Sequence, residues 1–248
     1  RPRFPEAEAK YSWLAPVLDA HAIHAEGLGD ELRVAESARG EKVACHKGCS
    51  ACCKSMTVAA LPQEVAAISW YVSEIMDFRL QERIKPRLVQ MQDSAECPFL
   101  LDDACSIYMV RPLTCRSFTV FRQVCEVGED VFETRGRDVF IQSKALSRRV
   151  ALRVLDGTPR APWKDEKRKR KAFEAGVMGG MTAPLHLIDP AGFLRAINHW
   201  QQQRGFSPEV NHGTGTPEVD EMGEKASQPP APSAGAGTPP ATAGDVDG

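Results

Sequence analysis

Apolar residues recur at three- and four-residue spacing in four stretches of the chain, a pattern that predicts helices. In the first, from Glu6 to Arg39, Trp13, Leu14, Val17, Leu18 and His21 share one face until Gly27 and Gly29 interrupt the pattern. The second opens at Leu61-Pro62, with Pro in the first turn, and Val65, Ile68, Tyr71, Val72, Ile75 and Met76 mark its apolar face. Pro86 is expected to bend or end the chain's helical course beyond Met76. The third runs from Val139 to Val154 and out into Asp156-Gly157-Thr158-Pro159. The fourth is announced by Asp189-Pro190, an N-cap before Pro at the first helical position, with Phe193, Leu194, Ile197 and Trp200 as its buried face. Between the second and third, residues 97–125 read as loops with one helical turn. Strand signals are weak throughout.

This pattern predicts a mainly α fold: a small helical domain with a loop-rich cysteine lobe and a disordered C-terminal tail. The expected divisions are an N-terminal helical segment (1–40), a cysteine-cluster metal-binding domain (41–130), C-terminal helices packing on it (131–206) and the tail (207–248). The tail is rich in Pro, Ala, Gly and acid and cannot bury enough apolar surface to offset its ordering entropy. It also changes the reading of charge. The chain carries −2 in all, but 207–248 holds seven acids and one lysine, a charge of −6, which leaves the rest at +4. That mildly basic balance is too small to argue for nucleic acid by itself, and nucleic acid is not expected as a partner. The run Lys164 to Lys171 has six basic residues and no interleaved aromatics, which reads as a solvated helix start. No apolar run of about eighteen residues predicts a membrane span, and RPRFPEAEAK lacks the apolar core of a secretory signal, so a cytoplasmic location is expected.

The candidate chemistry lies in the cysteines. All eight, Cys45, Cys49, Cys52, Cys53, Cys97, Cys105, Cys115 and Cys125, fall within one third of the chain, in polar, turn-rich sequence. Cysteines that merely pack would be scattered among apolar faces. The spacing Cys45-x3-Cys49-x2-Cys52 lets three thiolates converge, with Gly48 giving the backbone freedom to wrap. Cys52 and Cys53 should project about 100° apart on a helix, so one mononuclear metal should not take both. Two four-thiolate sites, one polynuclear cluster, or one site with spare thiols all remain open, and thiolates accept zinc and iron alike. Disulfides are disfavoured by the missing secretory signal, and redox-active thiols are the other alternative. Lys42, Lys47 and Lys54 would favour thiolate in any of these. The same spacing occurs in radical S-adenosylmethionine enzymes, but Ala51 precedes Cys52 where those carry an aromatic, and no strand–helix alternation comes after it.

CHKGCSACC, then CPFL, CSIYMVRPLTCR and Cys125, resembles the YkgJ-like cysteine-cluster family, a zinc- or iron-chelating domain with eight cysteines. The resemblance implies that the eight cysteines are the metal set and that Ile107-Tyr108, Arg111-Pro112 and Cys115-Arg116 form a signature loop. Met109 stands where many members have Glu. A similar cluster occurs in flagellin lysine methylase-type proteins, which links the resemblance to protein modification.

Arg111 and Arg116 flank Cys115, where they would balance thiolate charge or bind an anionic ligand; the competing reading pairs them with Asp102, Asp103 or Glu96. Tyr108 and Phe118 read as lobe packing rather than stacking platforms. His46, beside Cys45, could replace a thiolate. His21 and His24 have Glu26 near in sequence but nothing that completes a site, and His186, His199 and His212 have no partner pattern. The expectation is therefore a metal-binding protein holding zinc, iron or an iron–sulfur cluster. The alternatives are an iron-dependent redox or protein-modification enzyme and a metal-stabilised module that recruits a protein partner.

Overall fold

The computed structural model describes residues 1–55, 58–158 and 165–206. The expected disordered tail, residues 207–248, lies outside the described residues, as do Pro159 and Lys164. Helices α1 (Pro5–Lys10), α2 (Leu14–Arg39), α3 (Ala51–Ser55), α4 (Pro62–Trp70) and α5 (Phe78–Val89) fill the first half. Then come α6 (Leu113–Ser117), α7 (Val131–Arg135), α8 (Lys144–Asp156), α9 (Glu166–Glu174), α10 (Val177–Met181) and α11 (Pro190–Gln203). Four two-residue strands make two antiparallel pairs: β1 (Ala59–Ala60) with β4 (Ala183–Pro184), and β2 (Leu100–Leu101) with β3 (Ala104–Cys105). Residues 1–207 form one compact unit.

Helix α2 is the spine. Its apolar stripe buries Leu14, Val17, Leu18, His21, His24 and Leu28. The helix runs straight through Gly27 and Gly29, because the first of these is a packing notch: a Cβ at Gly27 would meet the Leu146 side chain of α8. Arg153 of α8 donates to Asp19 at 2.5 Å, and the backbone N–H of Ser143 donates to Glu31 at 2.8 Å. The predicted helix from Val139 starts later, at Lys144. Ser143 caps it through Leu146 N–H at 3.0 Å, while Val139 pairs with Val120 as an isolated bridge.

The Leu61 helix also departs from simple periodicity. After Trp70 the chain makes a π-turn, Tyr71–Ile75. The wider turn shifts the phase, so Ile68, Val72 and Met76 stay buried while Ile75 turns outward. Pro86 sits inside α5 without ending it. The larger core joins Leu14, Val17, Ile68, Ile84, Leu88 and Phe99 to Phe193 and Ile197 of α11, the last helix being capped by Asp189 as its sequence predicts. Helix α9 is capped by Asp165, and its basic residues are exposed or half-exposed, with Ala172 alone of its side chains buried.

Candidate metal centre

The first cysteine segment is held by backbone pairing. Val43 bridges Phe121, and Ala44 N–H donates to the Val120 carbonyl at 2.8 Å. Beyond Cys45 the chain turns at Gly48, whose φ of +88° favours glycine, and Cys49 N–H closes on the His46 carbonyl at 3.1 Å. Cys52 and Cys53 lie on the single turn of α3. The second segment docks directly on it: Cys97 N–H donates to the Cys53 carbonyl at 2.8 Å. Lys54 and Ser50 both reach Asp103, each at 2.7 Å.

Residues 97–125 carry more order than a loop with one helical turn. Cys105 lies on β3, opposite Leu100, across a tight turn at Asp102-Asp103, both at positive φ as a two-residue hairpin of this hand requires. Cys115 lies on α6, and Cys125 packs with Cys45 around Val120, Val131 and Val139. All eight thiols are half-buried and unpaired by disulfides.

The thiols sense one another across both segments. The charge on Cys52 is among the influences that raise Cys45, Cys105, Cys115 and Cys125. Among the described residues no three His, Cys, Asp or Glu side chains stand, as placed, close enough to hold a metal ion. As soft donors, thiolates fit zinc or iron by their chemistry.

Burial raises most of these thiols. Cys97 and Cys125 are each pushed up to about 11 and Cys115 to about 12, and Cys45 and Cys105 rise as well. Cys52 rises mainly because its hydrogen bond to Cys53 favours the protonated form, with burial adding to it. Binding a metal here must therefore expel protons. The opposing influence comes from arginine. Arg111 favours thiolate at Cys45, Cys52, Cys105 and Cys115. The three acids proposed as its competing partners are engaged elsewhere: Asp102 by Arg83, Asp103 by Lys54 and Glu96 by Arg87. Among the described residues neither Arg111 nor Arg116 pairs with a carboxylate, and Arg111 Nε is buried without a partner. Arg111 stacks over Tyr108 at 4.7 Å, so that exposed ring is an arginine platform rather than lobe packing. Arg116 donates to the carbonyls of Tyr108, Met109 and Arg111 at 2.7–2.8 Å and folds the signature loop around itself. Lys42 and Lys54, expected to favour thiolate, are paired with Glu36 and Asp103. Phe118 packs within the lobe, 6.1 Å from Phe132.

His46 Nδ1 lies 2.9 Å from the Ala44 carbonyl and His199 bonds Gln203, while His186 lines a cavity of about 280 Å³ that reaches Cys97. His212 lies outside the described residues. Behind α6, His24 bonds Ser117 and Gln142, and His21 Nε2 is 3.5 Å from Glu64. Glu64 is the residue that sequence reasoning missed. Almost wholly buried, it accepts from Leu61 N–H at 2.9 Å and from Leu113 N–H at 2.7 Å, clipping the signature loop to α4. Its place three residues beyond Leu61, at the helix start, was the available signal.

Residues 44–135 match the family model CxxCxxCC, described as "Putative zinc- or iron-chelating domain". Neither a curated protein nor a solved structure matches the chain. Among the described residues no helix is long and apolar enough to cross a membrane.

Proposed function

We propose that this protein binds zinc or iron through the thiolates of Cys45, Cys49, Cys52, Cys53, Cys97, Cys105, Cys115 and Cys125, with Arg111 and Arg116 as counter-charges. The observation that supports this reading is the hydrogen bond from Cys97 N–H to the Cys53 carbonyl, which joins the two cysteine segments; Arg111, which favours thiolate at Cys115, pairs with no carboxylate among the described residues. Arg111 offsets negative charge as thiols deprotonate, and Arg116 holds the loop that carries Cys115. Glu64 fixes that loop to the helical core. Zinc would supply a redox-inert crosslink, whereas iron or an iron–sulfur cluster would supply electron transfer. Either would contribute folding energy to the two cysteine segments, residues 45–53 and 97–125, whose elements are short.

A second reading is an iron- or iron–sulfur-dependent redox or protein-modification enzyme. It is favoured by an open cavity beside Cys52 and Cys125, where a reactant could approach.

Elemental analysis and a visible spectrum of protein purified without oxygen or added metal test both. We expect at least one zinc or iron per chain. Zinc without colour would remove the redox reading; iron with acid-labile sulfide and a broad brown absorption would make it the leading one. Protein that holds neither metal, and takes up neither on reconstitution, would overturn the proposal.

A further inference from the structure

Between α3 and α7 lies a cavity of about 350 Å³ whose wall includes Cys52 and Cys125, one thiol from each cysteine segment. The cavity beside His186, by contrast, reaches Cys97 alone. Three carboxylates line the wall, from Glu126, Glu129 and Asp130, and no basic side chain does. The surrounding stretch is acidic too, with five acids against two arginines between residues 124 and 138. Two of the three carboxylates are fixed in place. Glu129 accepts from Arg135 at 2.8 Å and from Glu126 N–H at 3.0 Å, which holds it ionised, with its pKa lowered to about 2. Asp130 caps α7 through Phe132 N–H at 3.0 Å. Phe132 and Val127, 59% and 62% exposed, make the local surface apolar. Arg135 offsets the charge of Glu129, so the net negative charge at the wall comes from Glu126 and Asp130. Low-dielectric walls beside net charge of one sign focus the field and raise the local concentration of counter-ions.

From this arrangement, and resting on the metal-binding reading above, we infer that the cavity is the entrance through which a divalent metal cation reaches the thiols, with Glu126 and Asp130 steering it. The carboxylates act on the rate of arrival. The thiols keep the ion once it is there. No bond between metal and carboxylate is required in the loaded protein.

The test uses the full-length, reduced, metal-free chain and Co²⁺ as probe, monitored by stopped-flow absorbance of the cobalt–thiolate bands. In Glu126→Gln/Asp130→Asn, where Asn keeps the helix cap, the association rate should fall about 3- to 10-fold at low ionic strength. It should converge on wild type near 1 M salt, where the screening length is about 3 Å. Glu26→Gln/Glu174→Gln, exposed carboxylates outside the cavity wall, should leave the rate unchanged. Equal rates for wild type and the cavity variant at low salt, with full cobalt bound, would overturn the inference while leaving the metal-binding proposal standing. Wild-type protein that takes up no cobalt would overturn both. Should the variant fail to fold, extraction of cobalt from wild type decides: anionic EDTA should gain on neutral phenanthroline as salt rises, and a constant ratio of their rates would count against an acidic entrance.

Discussion

Glu64 engages both carboxylate oxygens with backbone N–H groups from two different elements, so removing it leaves two buried donors unpaired. Glu64→Ala should cost about 3 kcal/mol, read from urea unfolding, and Glu64→Gln less because one acceptor survives. The neighbouring histidines give stability a pH dependence whose sign is fixed by their burial. Desolvation lowers both His21 and His24 below the usual 6.5. The unfolded chain then takes up protons near that pH that the folded chain does not. Their contribution to stability is complete above about 6.5 and falls away as the pH drops below it. Replacing His21 with Gln should flatten the fall in urea midpoint between pH 7 and 5 relative to wild type; an unaltered slope would mean that His21 is not held neutral by burial. At Arg111 the expected readout is affinity. Arg111→Met should weaken metal binding by about tenfold in chelator competition without changing stoichiometry, as loss of a residue supporting the ligands typically does.

At the scale of elements, the α2–α8 pair shows how glycine serves packing rather than flexibility. Gly157 closes α8 against the start of α2, where a Cβ would stand 2.9 Å from the Trp13 carbonyl oxygen and 3.1 Å from Pro16. Because the obstacle is backbone, Gly157→Ala should destabilise the fold by about 1–3 kcal/mol in thermal or urea unfolding. Gly27 differs, since its neighbour is the tip of the Leu146 side chain, which can move. Sequence periodicity located α2, the Leu61 helix and α11 because a one-sided apolar stripe is a local property. It overran at Val139, where pairing with Val120 competes with helix, and it could not anticipate the π-turn at Tyr71, whose phase shift is fitted to the core around it. The hairpin of β2 and β3 was illegible for a related reason: two-residue strands have no alternation to read, and its turn uses Asp-Asp in place of the usual glycine.

For the whole molecule, the cysteine lobe and the helical core should differ in how far they depend on metal. Removal of metal by a chelator under reducing conditions should strip amide protection from residues 45–53 and 97–125 while α2, α4, α5 and α8 retain theirs, a contrast that hydrogen–deuterium exchange by mass spectrometry resolves. Cys49→Ser should likewise unfold the lobe, and a variant with full metal content and unchanged stability would refute a ligand role for Cys49. The sequence by itself determined that the chain is helical, where its principal helices lie, and that eight clustered thiols are the candidate chemistry. Those are properties of spacing and residue type, which neighbours along the chain suffice to define. Only the tertiary structure decided that Cys97 rests on Cys53, and that Asp102, Asp103 and Glu96 pair with Arg83, Lys54 and Arg87. It alone joined Glu64 to the signature loop 49 residues away. These relations depend on which acids are already taken and which backbone groups are left to pair, and that is settled only when distant segments compete for the same partners.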